Sequence, residues 1–315
     1  MKRLIVFMHG LGDNLMLTPS IREIKTLFPD DEIHIGGFKY LSSKMIWENN
    51  PHVTKYYELN IDFHPTYWDE KKLNEEMKII QPIIDELAKK IKADKVNFVT
   101  IKNKTKHEIG AIGEELGVIP SEDMEIFVSK EDEKIAEELI NSNTHLKEGK
   151  FFVIHQGAGN YSKSWCEEEC MKFMNMIERK SGYIPFIIDN PNEPKIEYEN
   201  AIYASSLKKK TPGAIVEIMR KAKFFVGTDS FPMHLATACE IPLVGLFVHT
   251  WPHRTGPLTK NSMMLCSLPT YTRTPLNYHY YHSDRMMLAN IANNLQKIKA
   301  EKVLKAIERL GVDLE

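Results

Sequence analysis

Three stretches of the chain carry residue types that could do chemistry, and all three share one form: an apolar run, a glycine- or serine-bearing loop, then an amphipathic pattern. In the first, Leu4 to His9 leads into Gly10-Leu11-Gly12-Asp13-Asn14. Gly10 and Gly12 let a substrate approach the backbone, with Asn14 closing the loop. Asp13, at a strand's carboxyl end, can act as a general base toward a hydroxyl in a cleft or can cap the helix that follows. The second is His155-Gln156-Gly157-Ala158-Gly159-Asn160-Tyr161-Ser162-Lys163-Ser164-Trp165, where loop amides around Gly157 and Ser162 together with Lys163 can embrace a phosphate, or Lys163 can be a surface lysine. The third is Val226 to Ala236: Asp229 or Ser230 is placed to cap a helix, Phe231 and Pro232 stand in its first turn, and His234 lies one turn in. Exposed amides and the dipole at such a helix start make an anion site.

Two other readings of the first loop are weaker. A dinucleotide fingerprint needs a third glycine where Leu15 stands, and an acid ending the second strand where Gly36-Gly37 stand. His9 to Asp13 also resembles the oxyanion segment of α/β-hydrolase esterases, but no G-x-S-x-G nucleophile elbow exists anywhere in the chain. A fourth region, Phe247 to Pro257, brings His249, His253 and Arg254 in a Pro/Gly loop that could line the same cleft.

The elements that must hold these loops alternate between β-rich runs and helical patterns, which predicts parallel sheets with crossover helices. Leu4–His9, Glu32–Gly36, Tyr56–Leu59 and Val96–Ile101 form one set; Phe151–His155, Ile184–Asp189, Phe224–Thr228 and Pro242–Val248 form another. Leu17, Ile21, Ile24 and Phe28 recur at helical spacing, with Pro29 as the stop. A charged helix from Lys130 to about Ile140 and a polar stretch, Asn141 to Lys150, suggest a linker. The expected division is therefore residues 1–145 and 146–315. Asp284 to Leu310 reads as one or two closing helices. The length, 315 residues, fits two cores better than one.

Composition removes several classes of function. Forty-one Lys and Arg against 43 Asp and Glu leave no global field for a nucleic-acid backbone. No apolar run is long enough for a spanning helix, and the basic start runs into glycines and Asp13 instead of a signal sequence, so a cytoplasmic protein is expected. Cys166, Cys170, Cys239 and Cys266 show no zinc spacing, and reduced thiols and no metal are expected.

Taken in order, the motifs resemble the bacterial heptosyltransferases, glycosyltransferase family 9, over nearly the whole chain. The matching residues are Gly12-Asp13, Leu15, Leu17-Thr18-Pro19 and Ile21-Arg22; His155 to Gly159 with Lys163-Ser164-Trp165; and Asp229-Ser230-Phe231-Pro232-Met233-His234-Leu235-Ala236. The resemblance implies a GT-B-like pair of facing Rossmann-like domains, with acceptor on the first and nucleotide-sugar donor on the second. It implies inverting, metal-independent transfer of a heptose-like sugar, ADP-linked, to a lipopolysaccharide or related glycan, with Asp13 as base. Lys163, Gly157, Ser162, Asp229, Ser230, Phe231 and His234 would hold the donor, and Glu193 its ribose. Gly10, Gly12 and Asn14 would line the acceptor side. No cofactor is expected beyond the sugar nucleotide, and peripheral contact with the inner membrane fits such an acceptor. Phe231 departs from the family's usual glycine, and Gln156 from a common proline. The first departure leaves open a non-catalytic nucleotide-sugar binder; the hydrolase lacks its nucleophile.

Overall fold

The computed structural model describes residues 1–67, 69–157, 163–190, 196–209, 211–247, 250–267 and 298–314. The chain forms two compact units, Met1–Phe127 and Val128–Glu315. In the first, β1 (Lys2–Val6), β2 (Glu32–Phe38), β3 (Lys55–Leu59) and β4 (Lys95–Phe98) form a wholly parallel sheet in the order β3-β2-β1-β4. The crossovers carry α1 (Leu11–Leu27), α2 (Lys44–Trp47) and α3 (Glu70–Ile91), and α4 (Glu108–Leu116) follows β4. Leu4, Val6 and Met8 alternate toward one face and join Ile80, Ile84 and Leu87, the i, i+4, i+7 stripe of α3. Ile5 and Phe7 are equally buried, so both faces of β1 are covered, as a central parallel strand requires. Burying each such side chain fully contributes about 1.5–3 kcal/mol.

The interior of α1 contains Pro19, whose missing N–H orphans the Leu15 carbonyl. Thr18 repairs this: its Oγ1 donates to that carbonyl at 2.7 Å and accepts the Glu125 amide at 3.1 Å. The Thr-Pro pair thus keeps the helix continuous. Lys92 ends α3 in the left-handed region, and Gly117 and Gly182 close two other helices in the same conformation.

In the second unit, β5 (Phe151–His155), β6 (Ile184–Ile187), β7 (Ile202–Tyr203), β8 (Phe225–Thr228), β9 (Leu243–Phe247) and β10 (Ser262–Cys266) form a parallel sheet in the order β10-β9-β8-β5-β6-β7. Its helices are α5 (Lys130–Ser142), α6 (Thr144–Lys147), α7 (Glu167–Ser181), α8 (Pro212–Met219), α9 (Phe231–Ala238), α10 (Pro252–Thr255) and α11 (Ala300–Arg309). Phe152, Ile154, Val226, Val244 and Leu246 form one core with Phe173 and Ile177 of α7 and Val303 and Ile307 of α11. Both units are therefore of the expected α/β, Rossmann-like kind.

Two expectations change. The division falls at Phe127/Val128, not at 145/146, because α5 belongs to the second unit, where it packs on α8. Ser129 caps α5, its Oγ accepting the Asp132 amide at 3.1 Å and donating to one Asp132 oxygen at 2.7 Å, and the other Asp132 oxygen accepts Thr211 Oγ1 at the start of α8. A Cβ on Gly213 would stand 2.4 Å from Asp132 Oδ2, so only glycine permits that approach. The polar stretch expected to be a linker holds α6 and then joins β5. Second, α1 starts at Leu11, so Gly12, Asp13 and Asn14 lie in its first turn and not in a loop. Glu193, Ser162 and His249, with the segment from Asp284 to Gln296, lie outside the described residues. Among the described residues no helix is long and apolar enough to cross a membrane.

Candidate active site

In an open parallel sheet, ligands settle at the carboxyl ends of the strands where the winding reverses. In the first unit β1 has β2 on one side and β4 on the other, and the chain leaving β1 carries His9, Gly10 and Asp13 to that point. His9 bridges the two strand ends, its Nε2 donating to the Val99 carbonyl at 3.2 Å. Its ring stacks on Tyr67 at 4.2 Å, and the Tyr67 hydroxyl donates to the Met8 carbonyl at 2.9 Å. Burial, helped by the charges of His64 and Lys104, pushes the His9 imidazole down to about 3, so it stays neutral and works as a brace. Burial first, then the charge of Asp13, pushes the Tyr67 phenol up.

Asp13 occupies the third position of α1, half-buried, and its Oδ2 accepts the Gly10 amide at 2.9 Å. The carboxylate is thereby aimed back over the strand end, and a Cβ on Gly10 would press within 3.2 Å of it. The amides of Leu11 and Gly12 donate to no acceptor among the described residues. Asn14 is placed differently from a cleft-lining residue. It is 1% exposed, its Nδ2 donates to the His9 and Gly10 carbonyls at 3.1 and 2.9 Å, and its Oδ1 accepts Trp47 Nε1 at 2.9 Å. Asn14 thus clamps the turn that presents Asp13.

The end of β4 contains a feature with no obvious sequence signal. Ile101 sits at φ 53, a conformation a β-branched residue adopts only under compulsion. Glu115 of α4 supplies it by accepting the amides on either side, Thr100 at 3.0 Å and Lys102.

In the second unit the reversal lies between β5 and β8, and here Gly157, Lys163, Asp229 and Ser230, expected from the sequence to hold a donor, come together. Thr228 Oγ1 donates to the Gly157 carbonyl, tying the ends of the two strands. Lys163 Nζ lies 3.2 Å from Asp229 Oδ2 and 3.4 Å from the Asp229 carbonyl, with the side chains 17% and 5% exposed. The other carboxylate oxygen accepts Thr255 Oγ1 at 3.1 Å and lies 3.9 Å from His234 Nε2. Burial would raise the Asp229 carboxyl, but the positive charges of Lys163 and His234 outweigh it and hold the group at about 2.

Ser230 precedes α9 with its Oγ 3.0 Å from His155 Nδ1, donating to the Thr228 carbonyl at 3.1 Å. Its side chain therefore does not cap the helix. Pro232 has no N–H, and the amides of Ser230 and Phe231 meet no acceptor among the described residues. Half-buried Phe231 occupies the first position of α9. The result is a lysine held beside two open amides and a helix dipole, an arrangement suited to a diphosphate.

The loop carrying Lys163 is anchored by its neighbour. Trp165 is buried, its Nε1 donates to the Ile298 carbonyl at 2.8 Å, and its amide donates to the Gln156 carbonyl at 2.9 Å. Glu169 secures the same junction by accepting Lys299 Nζ and the Ala300 amide, both at 2.8 Å. Trp165→Phe keeps most of the apolar area but orphans a buried carbonyl. It is expected to cost about 1–3 kcal/mol, read as a lowered midpoint in urea. A midpoint equal to the native one would mean that the Ile298 contact does not hold the loop.

Sequence reasoning pointed to His253 and Arg254 on the neighbouring loop, yet His253 is exposed and it is Thr255 that reaches Asp229. A second overlooked residue is Asp189, just beyond β6. The second strand of a Rossmann-like half often ends in the acid that reads a ribose, and Asp189 Oδ1 accepts the Ser205 amide at 2.9 Å.

No curated protein matches the chain. Among solved structures it is similar to a family 9 glycosyl transferase from Veillonella parvula DSM 2008, at 20% identity and TM-score 0.72, covering 98% of this chain and 96% of that one. The E. coli heptosyltransferase WaaC, solved with ADP, shows 15% identity and TM-score 0.65 over 98% of this chain and 100% of that one. The E. coli ADP-heptose lps heptosyltransferase II shows 13% and 0.64, covering 98% of each. Likeness at these identities establishes the GT-B-like fold. The family itself is shown by sequence, because the model of glycosyltransferase family 9 (heptosyltransferase) matches residues 114–279, more than half of the chain and the whole of the Lys163–Asp229 cluster just described. The chain belongs to glycosyltransferase family 9 and is a glycosyltransferase.

Proposed function

We propose that the protein transfers a heptose-like sugar from a nucleoside-diphosphate donor, ADP-linked, to a hydroxyl of a lipopolysaccharide or related glycan, with inversion and without a metal. The observation that carries the reading is the switch point at the carboxyl ends of β5 and β8, where Lys163 and the open amides of Ser230 and Phe231 offer donors suited to a diphosphate. WaaC, a protein of the same fold, is solved with ADP, which supports that choice of leaving group.

In this reading the second unit holds the donor and the first the acceptor. Asp13 removes the hydroxyl proton as the oxygen attacks the anomeric carbon from the face opposite the diphosphate. The bond to the diphosphate breaks, and Lys163 with the α9 amides takes up the charge that grows on the leaving oxygen. Asp229, Thr255 and His234 keep the lysine in place, and Asp189 or Glu193 is the partner for the ribose.

Incubation with ADP-heptose and a heptose-free core oligosaccharide, with product anomers read by NMR, tests the proposal. Transfer that survives EDTA with inverted configuration is the expected result. Retained configuration, or transfer lost in EDTA and restored by magnesium or manganese, would remove the mechanism. Binding of ADP without any transfer would favour the non-catalytic alternative.

Phe231→Gly is expected to alter the relative rates with ADP-, UDP- and GDP-sugars, since Phe231 stands half-buried at the first position of the helix whose amides face the phosphates. Added backbone freedom should cost about 1 kcal/mol. Unchanged donor ratios would show that this side chain does not shape the pocket.

A further inference from the structure

At the amino ends of the strands in the first unit, on the sheet edge opposite Asp13, lies a depression of about 410 Å3 lined by Lys2, Lys55, Lys90, Lys92, His34 and Tyr57. Its cations come from separate elements: Lys2 begins β1, Lys55 begins β3, and Lys90 and Lys92 end α3. Basic residues closing a helix are explained by its dipole. The dipole of α3 does not account for Lys2 and Lys55, which the sheet register brings to the same place.

The charges are poorly neutralised by the protein. Lys2 Nζ has Glu32 at 3.4 Å, whereas Lys55, Lys90 and Lys92 form no ion pair among the described residues. Lys55 instead lies over the Tyr57 ring at 5.2 Å. The nearby Asp94 carboxylate accepts the Lys2 amide at 2.7 Å.

Beneath the lysines is His34, a residue only 5% exposed whose Nδ1 makes no hydrogen bond. Its Nε2 stands 3.5 Å from a carboxylate oxygen of Glu32, the acid that also faces Lys2. A buried imidazole nitrogen normally finds a partner, because a polar atom left unmet away from water is costly. An imidazole with one nitrogen unmet, lining a pocket of four lysines, is suited to an oxyanion that can accept from His34 and lie among the ammonium groups. Several such charge-assisted bonds would hold a phosphate group well, and clustered like charges would be relieved by its arrival.

We propose that this pocket is a second anion site, which binds a phosphate group, and that it is separate from the donor site in the other unit. The phosphate can belong to a small soluble molecule or to an anionic lipid headgroup, since both present the same oxyanion.

The test uses the full chain and a readout local to the pocket. Imidazole signals of 15N-histidine protein are followed by NMR during titration with inorganic phosphate, and the His34 signal is assigned by its absence in His34→Gln. The expected result is a saturable shift of that signal, weakened at least tenfold in Lys90→Gln/Lys92→Gln and unaffected by Lys163→Gln. The two pocket lysines are exposed, so their replacement should leave the fold intact. In a parallel arm, co-sedimentation is measured with phosphatidylglycerol and with phosphatidylcholine vesicles. Capture by phosphatidylglycerol alone, lost in the double variant, would assign the phosphate to a lipid headgroup. A phosphate shift without vesicle capture would assign it to a soluble ligand. If the His34 signal does not move and neither vesicle captures the protein, or if the double variant behaves as native in both arms, the site does not exist.

Discussion

Asp13→Asn is expected to slow sugar transfer by about a hundredfold to ten-thousandfold while leaving the fold and the affinity for ADP almost unchanged. The geometry makes this substitution unusually clean. The carboxylate uses Oδ2 to accept the Gly10 amide at 2.9 Å, and an asparagine oxygen can accept the same N–H. What is lost is the ability to take a proton, together with a negative charge in the first turn of α1 that the helix dipole favours by about 0.3–1 kcal/mol. The thermal midpoint should therefore fall by no more than a few degrees. The turn itself is held independently, by Asn14 against Trp47 and by His9 against Val99. Single-turnover transfer with saturating donor is the appropriate measurement, because it excludes product release. A rate within threefold of native would make Asp13 a helix cap and nothing more.

The turn before α1 also marks how far the sequence could be read. Phe151–His155 is legible to the residue, since four apolar residues and a histidine bounded by a lysine and a glycine loop have few other uses than a central strand. The start of α1 is not. Gly10-Leu11-Gly12 reads as loop because glycine weakens helices, yet the carboxylate at the third position accepts the Gly10 amide and helix begins at Leu11. The edge strands escape for a different reason: Ile202–Tyr203 is too short to show alternation, and Ser262–Cys266 contains no β-branched residue. The unit to which α5 belongs depends on Thr211 meeting Asp132, 79 positions away, and no local pattern encodes that contact. The loops at Gly157 to Lys163 and at Asp229 to His234 could be named by motif one at a time. That Lys163 is held by Asp229, and Asp229 by Thr255, is information carried only by packing at the ends of β5, β8 and β9.

That pairing decides how Lys163 must be tested. Lys163→Met removes the cation opposite a carboxylate that is 5% exposed, so loss of donor binding could reflect a damaged site as easily as a lost phosphate contact. Breaking the pair should cost about 3 kcal/mol, at the low end for buried pairs because Lys163 retains some solvent contact. Asp229→Asn leaves the lysine, which can reach water, and should cost less. In Lys163→Met/Asp229→Asn the orphaned charge is gone, and stability is expected to return to within about 1 kcal/mol of native. Donor affinity should not return. The double variant is expected to bind ADP at least tenfold more weakly than native, as befits loss of a charge-assisted bond to the diphosphate. The pH dependence checks that the pair is ionic. Asp229 is held at about 2, below its ordinary value, so its contribution is fully present above about pH 4 and is lost as the pH falls toward 2; by linkage it amounts to about 2 kcal/mol. This acid limb should be missing from Asp229→Asn and from the double variant. Native-like ADP affinity in the double variant would make Lys163 a structural counter-ion for Asp229, and the phosphates would then rest on the α9 amides alone.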